Sequence, residues 1–149
     1  MKQIRTVGVV GAGTMGAALA QKFALEGFHV ILADRGKNFV DNGLANIQRT
    51  FEEGIEKKIF LPEQVTKYLS QLTGTDSLAD LKDCDIVVEA IFEDVYAKME
   101  LFGTIGEIIS KDCIVATNTS SFSVTELGKS ISHPERFIGL HFFYQEEKN

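Results

Sequence analysis

The 149-residue sequence predicts an α/β domain, a mostly parallel, doubly wound sheet with helices on both faces. Three observations lead to that class. Short runs that are apolar throughout alternate with longer segments whose apolar residues recur at helical spacing. The first apolar run breaks into the turn Gly11-Ala12-Gly13-Thr14-Met15-Gly16, and the second ends at an acid, Asp34. Strands with no polar face must be covered on both sides, which a parallel sheet between two helical layers achieves.

Each element has its own signal. Ile4 to Val10 is a β-branched run broken at Gly11, and Thr14 to Glu26 then places Met15, Leu19, Phe23 and several alanines at helical spacing. Gly27 closes that helix, and His29 to Ala33 forms a second strand before Asp34. Phe39, Val40, Leu44, Ile47 and Phe51 mark an amphipathic helix from Lys37 to about Lys58. Pro62 opens a short helix through Leu69, and Leu72 to Thr75 makes a third strand. Cys84 to Ala90 is a fourth, buried strand; Val95, Met99, Phe102, Ile105 and Ile109 mark the next helix, and Cys113 to Thr117 is a fifth strand. A short helix from Val124 to Ile131 and a sixth strand from Phe137 to Phe142 complete the pattern.

Composition narrows the function. The chain is 44% hydrophobic and 24% charged, which places it among globular domains of ordinary core size. A formal net charge of −6 disfavours nucleic acid and anionic membranes as partners, although backbone dipoles can still bind a small anion locally. Cys84 and Cys113 lack the spacing of a metal or redox pair and read as two buried thiols in a reducing, cytoplasmic compartment. Lys2, Arg5 and Ala18-Leu19-Ala20 imitate a secretory signal, but the glycines interrupt the apolar stretch such a signal needs. No run is long enough to span a membrane.

The glycine turn follows a strand and opens a helix, the context a dinucleotide site requires. Gly11 permits the tight turn, Gly13 admits a pyrophosphate close to the backbone, and Gly16 lets helix and strand pack closely, which makes a Rossmann-type domain. Thr14 and Met15 lie in the first helical turn, where free N–H groups and the positive dipole end face the phosphates. Asp34 lies 23 positions after Gly11, where a carboxylate accepts the ribose hydroxyls of the adenosine half and repels a 2′-phosphate. NAD is therefore the expected cofactor, with Arg35 beside Asp34 able to stack on adenine or, less often at this place, to meet a phosphate.

Two later segments follow strands at the same sheet edge. Ala116 to Ser123 (ATNTSSFS) contains helix-capping residues, with Ser123 and Glu126 spaced for a capping box. In GLHFF a single histidine, His141, closes an apolar strand. Taken in order, GAGTMG, Asp34, VEAIFED, ATNTSS and PERFIGLHFF closely resemble the NAD-binding domain of the L-3-hydroxyacyl-CoA dehydrogenases, including the 3-hydroxybutyryl-CoA dehydrogenases. The resemblance implies His141 as general base toward the 3-hydroxyl and Ser120 as hydrogen-bond partner of the substrate oxygen. It also implies cofactor contacts from Glu93, Lys98 and Ser120, an acyl-CoA substrate, and a homodimer formed through a C-terminal helical domain.

The resemblance has departures. The usual family run is H-F-F-N-P, whereas Tyr144 and Gln145 follow Phe143 here; a subset of the family has Tyr at that point and then a Lys-Asn pair, as Lys148-Asn149. The family's CoA-contacting serine and lysine lack secure counterparts, Lys57 and Lys58 being candidates. A glutamate that orients the histidine is expected four residues past Asn149, followed by the helical domain, so HFFYQEEKN reads as a cut through an active site. On this reading the chain alone turns over little substrate. The rivals are a stand-alone NAD-binding or sensing module and a dehydrogenase of a non-CoA hydroxy acid.

Overall fold

The computed structural model describes residues 3–118, 124–130 and 134–139. Its six strands are β1 (Thr6–Val10), β2 (His29–Ala33), β3 (Leu72–Thr75), β4 (Ile86–Glu89), β5 (Ile114–Thr117) and β6 (Phe137–Gly139). They form one all-parallel sheet in the order β3-β2-β1-β4-β5-β6. The chain reverses its direction of travel across the sheet between β1 and β4, the switch point at which such sheets open a crevice beyond their C-terminal ends.

The helices are α1 (Thr14–Leu25), α2 (Lys37–Glu56), α3 (Pro62–Ser70), α4 (Val95–Ile108) and α5 (Val124–Gly128), with 3₁₀ turns at Leu78–Leu81 and Pro134–Arg136. α1, α2 and α3 pack on one face and bury Leu19, Ile47 and Phe51 against Val7, Val9, Val30 and Leu32. On the other face α4, α5 and the first 3₁₀ turn bury Phe102, Ile105, Leu127 and Leu81 against Val87 and Val115. Two aromatic groupings anchor these layers. Phe51, Phe60 and Tyr68 meet with ring centroids 5.4–5.8 Å apart, and Phe102 meets Phe137 edge-on at 4.8 Å.

Local chemistry explains the boundaries. Asp94 caps α4 by accepting from the Ala97 N–H at 3.0 Å, and Gln64 reaches back to accept from the Leu61 N–H at 2.9 Å at the start of α3. Gly27, at φ 96°, terminates α1 in the left-handed conformation glycine adopts freely. At the opposite end of the sheet Asp85 accepts from the Arg5 and Thr6 N–H groups at 2.8 and 3.0 Å, pinning the start of β1 beside β4.

Several expectations need correction. β1 begins at Thr6, β4 at Ile86 and β5 at Ile114, so Ile4, Cys84 and Cys113 lie outside the strands although both thiols are buried. α5 ends at Gly128. Phe39 and Met99, assigned by spacing to core faces, are 39% and 41% exposed, because each sits at the margin of its helix's apolar stripe. The sixth strand's predicted continuation to Phe142 and the capping box of Ser123 with Glu126 lie outside what the structure describes.

Candidate functional site

The parallel register brings one row of residues to a common level at the C-terminal edge: Thr75, Ala33, Val10, Glu89, Thr117 and Gly139. The loops that leave β1, β2, β3 and β4 at this level line a cleft of about 830 Å³, within the size range of small-molecule sites. Gly11, Ala12, Gly13 and Thr14 line it from the loop after β1, and Asp34 and Arg35 from the end of β2. Phe39, Asn42 and Asn46 of α2 form one wall, and Ala97, Glu100, Leu101 and Thr104 of α4 the other.

The three glycines are required for three different reasons. Gly11 has φ 110°, and a Cβ there would lie 2.5 Å from the Ala90 carbonyl oxygen, so conformation and the neighbouring turn both demand glycine. At Gly16 a Cβ would lie 1.5 Å from the Gly11 carbonyl oxygen, so glycine there sets how closely α1 approaches β1. Gly13 differs. Its φ of −74° suits any L residue, and nothing lies within 4 Å of where a Cβ would stand. Protein packing gives no reason for glycine at that position, whereas a ligand seated against the backbone does. Gly13 also offers no side-chain cap to α1, which leaves the first-turn N–H groups of Thr14, Met15 and Gly16 for an anion.

Asp34 is half-buried. One carboxylate oxygen accepts from the Ala12 N–H of the glycine loop at 2.8 Å and the other from the Arg35 N–H at 2.7 Å. These bonds fix the carboxylate beside the loop with lone pairs to spare for hydroxyl donors. Arg35 turns away from it, its guanidinium carbon 4.8 Å from the centroid of the Phe39 ring, a cation–π contact that explains the cleft-side position of Phe39.

The second half of the edge carries a feature that spacing alone missed. Glu89 and Lys98 are both 0% exposed. The Lys98 ammonium lies 2.9 Å from each Glu89 carboxylate oxygen and 2.8 Å from Glu93 Oε1, so three acceptors meet its three protons. Glu89 further accepts from Thr117 Oγ1 at 2.6 Å and from the Ile91 N–H at 2.7 Å. Lys98 is thus a buried cation, and neither it nor Glu93 lines the cleft. The available signal was an acid inside an otherwise apolar strand (IVVEA), which can be buried only with a charge partner. Ser120 and His141, for which catalytic roles were expected, lie outside the described residues.

Comparison with known proteins agrees with this geometry. The family model for the 3-hydroxyacyl-CoA dehydrogenase NAD binding domain matches residues 6–147. The chain belongs to that family. It is an NAD-binding domain of Rossmann type, as the glycine loop predicted. A 3-hydroxybutyryl-CoA dehydrogenase of Bradyrhizobium diazoefficiens is 40% identical over 139 residues, covering 93% of this chain and 47% of that protein. The fatty acid oxidation complex subunit alpha of Idiomarina loihiensis is 38% identical over 95% of this chain and 20% of its own length. The crystal structure of an (S)-3-hydroxybutyryl-CoA dehydrogenase from Ralstonia eutropha superposes with a TM-score of 0.92 at 39% identity, covering 95% of this chain and 50% of that one. The chain therefore spans about half the length of the similar hydroxybutyryl-CoA dehydrogenases. Among the described residues no helix is long and apolar enough to cross a membrane, and no group of side chains is arranged to hold a metal ion.

Proposed function

We propose that the chain is the cofactor-binding part of a cytoplasmic enzyme that oxidises the C3 hydroxyl of a 3-hydroxyacyl-CoA. NAD supplies the hydride acceptor. The protein's own part is to hold the dinucleotide along the C-terminal edge, to accept the hydroxyl proton on His141 and to steady the substrate oxygen with the Ser120 hydroxyl. An imidazole suits the first task because it titrates near neutrality, and a hydroxyl suits the second because it donates without ionising. Glu93 serves the cofactor from the turn between β4 and α4, where the buried ammonium of Lys98 holds it. In this reading the acyl pocket and the surface through which two copies dimerise belong to a following helical domain.

The single observation that carries the proposal is the open Cβ space at Gly13 beside the fixed carboxylate of Asp34. Together they form a pyrophosphate seat next to a ribose acceptor. The test is calorimetric titration of the chain with NAD and NADP, repeated with Asp34→Ala. We expect saturable binding that prefers NAD and weakens on substitution by about tenfold, the effect of losing a charge-assisted pair of hydrogen bonds. Equal affinity for NADP would contradict the role given to Asp34. Formation of NADH from NAD, with 3-hydroxybutyryl-CoA as the hydride donor, measured for the 149-residue chain and for its full-length parent, tests the rest. Turnover is expected only from the parent, and should be abolished there by His141→Ala.

A further inference from the structure

Glu89 is the most heavily bonded buried charge among the described residues, and nothing in the proposed chemistry uses it. It ends β4 in the middle of the sheet's C-terminal row, paired in register with Val10 on one side and Thr117 on the other. Its carboxylate joins four pieces of chain: its own strand, the turn after it through the Ile91 N–H, α4 through Lys98, and β5 through the Thr117 hydroxyl. Its backbone oxygen also accepts from the Asn118 N–H at 2.9 Å. Side chain and main chain of one residue therefore hold the point where the chain leaves β5 at Asn118.

A dinucleotide site of this type is built from two halves that meet at the switch point. Asp34 and the glycine loop lie on the β1–β2 side, whereas Glu89, Lys98 and Thr117 lie on the β4–β5 side. We propose that Glu89 is a positioning residue for the second, nicotinamide-bearing half. Its buried carboxylate aims the Lys98 ammonium toward Glu93 and, with its backbone oxygen, fixes the exit of β5 at Thr117 and Asn118. The proposal rests on the dinucleotide reading above but assigns a residue that reading leaves without a task. It also predicts a selective defect: loss of Glu89 should loosen only the half of the ligand that lies over β4 and β5.

The experiment compares two probes, NADH and ADP-ribose, the latter lacking the nicotinamide ring. Each is titrated by calorimetry against the unsubstituted chain, Glu89→Gln and Asp34→Ala, with circular dichroism melting as the control for folding. Glu89→Gln should weaken NADH by about tenfold and leave ADP-ribose within about twofold, while Asp34→Ala weakens both. Equal losses for the two probes in Glu89→Gln would reduce the residue to a structural role and overturn the proposal, as would unchanged binding of both. If Glu89→Gln does not fold, Thr117→Val takes its place, because it removes only one of the bonds that aim the carboxylate. A selective loss of about threefold for NADH is then expected, and no selective loss overturns the proposal. Failure of the dinucleotide reading would look different, since the unsubstituted chain would then bind neither probe.

Discussion

The loop glycines make a test at the level of single residues, because adding the same methyl group has a different consequence at each. Gly16→Ala drives a Cβ into the Gly11 carbonyl and should leave the chain largely unfolded, seen as loss of a cooperative melt. Gly13→Ala meets no protein atom at an ordinary φ, and the roughly 0.4–1 kcal/mol that a stiffer unfolded chain contributes offsets alanine's weaker capping of α1, so its Tm should hold. Its NADH affinity should nonetheless fall by tenfold or more, about 1.4 kcal/mol, because the methyl group occupies the pyrophosphate seat. Undiminished NADH binding by a stable Gly13→Ala chain would remove the central support for that seat. Cys84 offers a second residue-level test. Burial, reinforced by Cys113, Asp85 and Asp83, pushes its thiol from 9.0 up to about 12. The folded chain therefore keeps a proton there that the unfolded chain releases, so stability should decline as pH rises from about 9 toward 12. Melting curves across that range should show a shallower decline for Cys84→Ala, and iodoacetamide at pH 8 should modify Cys84 only after denaturation.

At the level of elements, α4 shows how much a helix can depend on one polar contact. It buries Lys98 in line with Phe102 and Ile105, so its apolar face contains an ammonium that must be neutralised by β4. Lys98→Met leaves Glu89 buried without its cation and should cost about 3–5 kcal/mol. The double variant Glu89→Gln/Lys98→Met removes both charges and should recover most of that loss in urea midpoints; an additive loss would mean that the two groups act separately. On the opposite face Phe51, fully buried between Phe60 and Tyr68, holds α2 and α3 together. Phe51→Ala should cost about 3–5 kcal/mol in the same measurement. Element type was legible because every strand but the edge strand β3 (Leu72–Thr75) is a short, largely apolar block and each long helix repeats its apolar residues every three or four positions. The ends were less legible. Cys84 and Cys113 are apolar and buried yet lie just before their strands, because burial and ladder hydrogen bonding end at different residues. Phe39 shows the same limit sideways, since periodicity marks a stripe and not which neighbour faces its margin.

Across the whole molecule, one sheet separates two cores, and β1 and β4 at its centre belong to both. Gly8 of β1 shows how closely the second core meets the centre of the sheet: a Cβ there would lie 2.9 Å from Leu81 and 3.1 Å from Cys84, so no side chain fits between the strand and the segment that leads into β4. The first half of the candidate site was legible because a glycine loop and an acid at fixed spacing announce a local motif. The Glu89–Lys98 pair was not, because its meaning depends on a β4–β5 register that brings Thr117 level with Glu89 across 28 residues of chain. A ligand spanning the switch point should therefore stabilise the chain as a unit. With NADH at 100 times its Kd the gain is about 2.7 kcal/mol, which raises Tm by roughly 5–10 °C for a domain of this size. Near- and far-UV signals should shift together, because neither core can open without breaking the central strands they share. If the far-UV transition instead stays in place while the near-UV transition moves, the ligand is bracing one layer only, and the crevice between β1 and β4 is not where it binds.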